Sequence, residues 1–294
     1  MSSTVPVIDV AGLRHDRAGP PAVEIVAAID TACTSTGFFA VTGHGVDGAL
    51  ADVFAAGRAF FALPLALKVR SAMVGVDGYL PFGSTRSGPK EMFDVGRRGD
   101  VRWPDLPGFR AAFERYQSAA LGLAADLLRA LAVALDVAPS FFADRMQDPQ
   151  CVLRLIHAPP RPDADDDTTG AHTDYGAITL LATDGQPGLE VRPLGADWTA
   201  IEAPAGSLVV NLGDMLARWT NLRYASTPHR VVPVTDQPRF SVPFFVNPDV
   251  DTTVECIPSC VDDAHPCRFE PITAGAFLQG RIDGTIPTGD GVHR

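Results

Sequence analysis

Apolar residues change their spacing along this chain, and the change divides it in two. Between Pro107 and Pro139, Phe109, Phe113, Tyr116, Ala120, Leu123, Leu127, Leu131 and Ala134 fall three or four residues apart. That spacing lays one buried stripe along a helix, the longest in a stretch, 20 to 150, that reads as mostly helical. From Cys151 onward the apolar positions come in short or alternating runs bounded by Gly, Pro and Asp: CVLRLIHA, AITLLAT, GLEVRP, SLVVNL, HRVVPV and RFSVPFFV. Short strands at this spacing predict an antiparallel sandwich or barrel. The expected organisation is one integrated domain: a helical region over 1–150 packed on a β-rich core over 151–294. No internal repeat or low-complexity linker interrupts it.

Composition narrows the class. Apolar residues make up 46% and charged residues 20% of the 294, the balance of a globular chain with a sizeable core. The formal net charge of -11 argues against a nucleic-acid partner, which needs clustered Lys and Arg. No apolar run approaches a membrane span, and the N-terminal MSSTVPVIDV has no basic and apolar succession of a secretory signal. Five cysteines, an odd number, fit reduced thiols in a cytoplasm better than a disulfide framework. The acidic stretch Asp163 to Asp167 reads as a solvated loop, since the Gly and Glu of a calcium loop are missing.

Chemistry concentrates in a few positions. In Gly170-Ala171-His172-Thr173-Asp174 an imidazole and a carboxylate lie two residues apart. Alternate side chains of an extended segment point the same way, so both can reach one metal ion. Two His and one carboxylate form the ligand set of non-haem iron(II) oxygenases, so a second His is required. His229, His265 and His293 remain downstream; His229 opens the strand-like run His229-Arg230-Val231-Val232 and is the best placed. Ten residues on, Arg239 and Ser241 share one face of an apolar strand, a guanidinium and a hydroxyl aimed at one carboxylate. The plainer alternative is a structural ion pair between Arg239 and an Asp or Glu.

These motifs resemble those of the isopenicillin N synthase-like group of iron/2-oxoglutarate oxygenases. The similarity runs from Val5-Pro6-Val7-Ile8-Asp9 to about Ile286 and takes in Gly37-Phe38-Phe39, Gly43-His44-Gly45-Val46, Phe60 to Pro64, Asn211-Leu212-Gly213-Asp214 and Thr227-Pro228-His229-Arg230. The resemblance implies an α+β fold, a double-stranded β-helix (jelly roll) with flanking helices and a C-terminal lid. It implies Fe(II) on His172, Asp174 and His229, with Arg239 and Ser241 on the distal carboxylate of 2-oxoglutarate. The implied reaction consumes O2 and 2-oxoglutarate, releases succinate and CO2, and hydroxylates, desaturates or cyclises a small molecule, with specialised metabolism the expected setting. One departure stands out: the family commonly carries a co-substrate-binding Tyr where this chain has Ala158. Arg154, on the same strand, is the candidate to compensate. Tyr79, Arg86 and Lys90 lie where the family places substrate contacts, and two cations there suggest a substrate with a carboxylate or another polar acceptor. A cytoplasmic monomer without a nucleic-acid or membrane partner is expected. Two competing readings are an iron oxidase of the isopenicillin N synthase type, which works without 2-oxoglutarate, and a non-enzymatic metal- or ligand-binding barrel.

Other patterns have plainer readings. Gly43 to Gly48 matches GxGxxG, but no acidic residue follows where a dinucleotide fold needs one, so a turn is expected and His44 is a capping or core residue. Cys256, Cys260, Cys267 and His265 are spaced too loosely for structural zinc. Asp214 and Arg230 read as structural polar residues near the barrel.

Overall fold

In the computed structural model the structure describes residues 5–15, 21–84, 90–96, 101–160, 169–232 and 236–286. The strands of the first part are short: β1 (Val7–Asp9), β2 (Phe38–Thr42), β3 (Gly78–Leu80) and β4 (Glu91–Gly96). Between and after them come helices α1 (Ala11–His15), α2 (Val23–Ser35), α3 (Asp47–Phe61), α4 (Leu65–Lys68) and α5 (Phe109–Ala134). The later strands are β5 (Gln150–Ala158), β6 (Thr169–His172), β7 (Ile178–Thr183), β8 (Leu189–Val191), β9 (Thr199–Ala200), β10 (Leu208–Leu212), β11 (His229–Val231) and β12 (Arg239–Asn247). A small hairpin-like pair, β13 (Thr253–Val254) and β14 (Ile272–Thr273), and helices α6 (Asp214–Trp219) and α7 (Ala274–Asp283) complete the chain.

An eight-stranded sheet runs β1-β2-β10-β7-β12-β5-β4-β3, and a four-stranded sheet runs β6-β11-β8-β9. The two oppose each other as the jelly roll, and the strand period of two sorts the larger sheet's residues. Phe38, Ala40, Val209 and Leu181 turn inward and pack on Leu189, Val191 and Val231 of the smaller sheet. Their neighbours Phe39, Val41, Val210, Leu180, Leu153, Phe244 and Phe93 turn the other way, into the larger core shared with the helices. Beyond the apolar end, the inward positions of β4, β5, β7, β10 and β12 become polar, and this end of the barrel holds the site.

Four of the eight strands come from before residue 100, so the first part, read from its periodicity as mostly helical, also supplies half of the larger sheet. Strands of three to six residues are too short to show a period against long flanking helices. Helix α5 is long and apolar enough on average to cross a membrane, although charged residues interrupt every apolar run in it. It is the central core helix: Phe109, Phe113, Tyr116, Leu123, Leu127 and Leu131 are buried, while Arg110, Glu114 and Arg115 line its exposed side.

Candidate active site

His172 ends β6, His229 begins β11, and the two residues pair directly across the antiparallel ladder. Their rings stand 4.3 Å apart, centroid to centroid. Asp174 lies just past β6, and its Oδ1 is 3.8 Å from Nε2 of both His172 and His229. One donor atom from each residue lies within 4.8 Å of the others, a spacing that one divalent ion spans.

The surroundings fix which atoms are available. His172 Nδ1 lies 2.8 Å from the Gly170 carbonyl and His229 Nδ1 3.2 Å from the Thr227 carbonyl. A carbonyl only accepts, so each Nδ1 carries the proton and each Nε2 presents its lone pair to the centre. Asp174 Oδ2 accepts from Asn211 Nδ2 at 2.7 Å and Thr179 Oγ1 at 2.6 Å, leaving Oδ1 to face the two imidazoles. Burial and the neighbouring His229 push His172 down to about 4, so its ring is neutral at ordinary pH. Burial opposes the charge of Asp174, yet His229, His172 and the Asn211 and Thr179 bonds hold its carboxyl below the usual range. Two imidazoles that turn Nε2 to the centre and one carboxylate with its charge intact suit a divalent ion of borderline hardness.

The HxD turn depends on close backbone approach. A Cβ on Gly213 would run into the carbonyl of Gly176, and one on Gly176 into the Asn247 side chain. Asp214 N donates to the Asp174 carbonyl at 2.8 Å, and the Asp214 carboxylate accepts from Thr173 Oγ1 at 3.0 Å and Ser226 Oγ at 2.6 Å.

Arg239 and Ser241 are inward on β12 and buried, with Arg239 Nη1 donating to Ser241 Oγ at 3.1 Å. Arg239 Nε is buried without a hydrogen-bond partner among the described residues. Burial lowers the guanidinium to about 10, although the charge of nearby Asp184 works the other way. No carboxylate forms an ion pair with Arg239 among the described residues, so the structural ion-pair alternative is not what is seen; the orphaned donor suits a ligand anion.

The remaining candidates fall out differently. Arg154 also faces inward, but its guanidinium is forked onto Asp94 (2.7 and 2.8 Å), so it does not stand in for the Tyr missing at Ala158. Tyr79 pairs with Phe93 on the helix-facing side and is 1% exposed. Its hydroxyl donates to Glu91 at 2.6 Å, in a cluster with Lys68 and His157, so the strand alternation removes it from the substrate contacts. Lys90 is at the inner face of the mouth, 3% exposed. Arg86 and the acidic stretch 163–167 lie outside the described residues.

His44 is a buried capping residue: its Nδ1 accepts from Val46 N at 3.2 Å and its Nε2 donates to the Gly206 carbonyl at 2.8 Å. Arg230 pairs with Glu190 at 2.7 Å and covers the Trp198 ring. Cys256 and Cys267 form a disulfide, which corrects the expectation of free thiols and removes a zinc site, while Cys33, Cys151 and Cys260 are buried and outside any disulfide. An odd count says only that one thiol is left over, and a pair joined by folding is invisible in it. Thr179 and Arg281 have no role in the sequence reading, and Asn211 enters it only within a family motif; the visible signal was one Asn inside the apolar strand LVVNL.

Known proteins give the same picture. The 2OG-Fe(II) oxygenase superfamily profile matches residues 149–248, and the profile of the N-terminal part of a non-haem dioxygenase in morphine synthesis matches residues 5–110. The chain is 37% identical over 282 residues to a 2-oxoglutarate-dependent dioxygenase of Monascus ruber, covering 84% of this chain and 85% of that one. A crystal structure of a 2OG-Fe(II) oxygenase family protein from Caulobacter crescentus superposes with a TM-score of 0.88 at 31% identity, covering 97% of this chain and 100% of the other. A Neurospora crassa protein crystallised with alpha-KG superposes with a TM-score of 0.87 at 27% identity, covering 96% of both chains. With relatives this similar along nearly its whole length, and a His-Asp-His site at the barrel mouth, the chain belongs to the 2OG-Fe(II) oxygenase superfamily and is an iron(II)/2-oxoglutarate-dependent dioxygenase.

Proposed function

We propose that His172, Asp174 and His229 hold the iron and that Arg239 and Ser241 bind the distal carboxylate of 2-oxoglutarate. The observation that carries this is the pairing of three convergent free donor atoms with a buried guanidinium whose Nε has no partner among the described residues. Iron in this site supplies the activation of dioxygen that couples decarboxylation of the ketoacid to oxidation of a substrate C–H bond. The chain's own residues do the positioning. Gly170 and Thr227 orient the imidazoles, Asn211 and Thr179 take one oxygen of Asp174, and Ser241 steadies the Arg239 fork. The apolar packing between the sheets, Phe38 to Val231, keeps water from the other side of the ligands.

The proposed substrate is a small molecule that reaches the site past His172, 37% exposed, and Tyr175, 39% exposed. Hydroxylation, desaturation and ring closure are all open to this site, in specialised metabolism. The proposal takes the protein as a monomer without a nucleic-acid or membrane partner. The cytoplasmic location loses its support from the cysteine count, because Cys256 and Cys267 are paired.

The test is anaerobic titration of the purified protein with iron(II), then 2-oxoglutarate, followed by oxygen and assay of succinate. One iron per chain, lost in His229→Ala, and succinate release dependent on that iron are expected. Undiminished iron binding in His172→Ala, Asp174→Ala and His229→Ala alike would overturn the ligand assignment.

A further inference from the structure

Lys90 is a buried ammonium with no carboxylate in contact among the described residues. Among the described residues its one hydrogen bond runs to Thr169 Oγ1 at 2.7 Å, a neutral hydroxyl on the opposing sheet. An ammonium has three donors, and burying it without a counter-ion is a cost that the fold must recover elsewhere. Asp94, the carboxylate nearest in the strand, is taken by the Arg154 fork. Burial, with Arg154 and Arg239 adding like charge, depresses Lys90 to about 8.

Its place in the register explains what the charge faces. Glu91 pairs with His157 and Arg239 pairs with Ala158, so extending the register by the one residue that precedes β4 puts Lys90 opposite Ala158. Lys90, Ala158 and Arg239 therefore stand abreast on the inward face of three adjacent strands, with the smallest side chain in the middle. A methyl group there leaves the space above it to the two long cations on either side. Both cations are more than nine-tenths buried, and neither has a protein carboxylate in contact among the described residues.

We propose that Lys90 is a second cationic ligand of the 2-oxoglutarate carboxylate gripped by Arg239, occupying the space that Ala158 leaves free. This rests on the co-substrate site proposed above. It gives Ala158 a physical meaning: the donor comes from the neighbouring strand instead of from position 158 itself. It also moves Lys90 from the substrate contacts to the co-substrate.

The test uses full-length protein loaded with manganese(II), without oxygen, and measures 2-oxoglutarate binding by calorimetry. Lys90→Met should weaken binding roughly 10- to 100-fold, the loss expected for one charge-assisted bond. It should also narrow the preference for 2-oxoglutarate over 2-oxovalerate, which lacks the distal carboxylate. Without ligand, Lys90→Met should melt at a higher temperature than the parent, because a buried unpaired charge has gone. A residue that only supports the fold would lower the melting temperature and leave the preference between the two ketoacids intact, and that result would overturn the inference. Arg239→Met is the control. If it destroys 2-oxoglutarate binding while Lys90→Met leaves the affinity unchanged, Lys90 is not a ligand but the co-substrate site stands. If the parent fails to bind 2-oxoglutarate at all, the co-substrate site itself is refuted.

Discussion

The carboxylate of Asp214 and the guanidinium of Arg281 meet at 2.5 Å, with both side chains 2% exposed. Asp214 begins α6 and Arg281 lies near the end of α7, so the pair fastens the C-terminal helix beneath the metal site. The same carboxylate takes Thr173, between two proposed ligands, and Ser226, three residues before the third. Arg281 also lies 4.7 Å over the ring of Tyr175, which follows Asp174.

Removing one side of this pair leaves the other buried and uncompensated. Arg281→Met should destabilise the protein by about 3–5 kcal/mol, measured by denaturant unfolding. Its iron affinity should fall as well, because Thr173 loses its fixed acceptor geometry. Unchanged iron affinity in a folded Arg281→Met would show that Asp214 holds the ligand turn without help from α7.

Thr179 and Asn211 act through Asp174. Thr179→Val removes one of the two bonds to Oδ2 while nearly preserving shape, and should weaken iron binding roughly 10- to 100-fold without unfolding the barrel. Competition with a chelator of known affinity reads this directly; equal affinity would mean that Asn211 alone orients the carboxylate.

Arg239→Gln should weaken 2-oxoglutarate far more than iron. The charge-assisted pair contributes about 1.5–3 kcal/mol, a shift in Kd of roughly ten- to a hundredfold. Equal losses for metal and ketoacid would point to a general collapse of the mouth.

Affinity for 2-oxoglutarate should also depend on pH through Lys90, which faces Arg154, Arg239, Asp94 and His172 across the mouth. Its pKa, about 8, lies below the ordinary lysine value, so the ligand-free fold gains stability as pH rises through 8 toward the unfolded value. Binding of the dianion runs the opposite way, weakening above about pH 8 as the ammonium loses its proton. Calorimetry in the parent and in Lys90→Met should show this slope in the parent alone.

The disulfide between Cys256 and Cys267 closes a sequence separation of 11. Asn221 Nδ2 donates to the carbonyls of Cys260, His265 and Pro266 and so braces the same loop. Cys256→Ser with Cys267→Ser should cost about 2–3 kcal/mol at most, read as a lower melting temperature with the metal site intact. A loss of iron binding would mean that the loop reaches further into the site than its contacts indicate.

Much of this was legible in the sequence because it rests on short-range rules. The two-residue spacings of His172 with Asp174 and of Arg239 with Ser241 are read by strand alternation, and His229 by its place at the head of a strand-like run. The helix over Phe109–Ala134 showed in its own periodicity. What stayed hidden depends on contacts between distant segments. Arg154 and Tyr79 looked available until the register put Asp94 and Glu91 opposite them or beside them. The join of Asp214 to Arg281 spans two helices, and although Asp214 read as a structural polar residue, nothing local names Arg281 as its partner.

Because Arg281 reaches the ligand turn through Asp214, iron occupancy and docking of the C-terminal helix are thermodynamically linked. Whatever free energy α7 lends to iron binding, bound iron must return to α7 in equal measure. Loss of the metal is therefore transmitted to the far end of the chain. Amide hydrogens over Ala274–Asp283 should exchange faster in metal-free protein, making this helix a reporter of the state of a site it does not line.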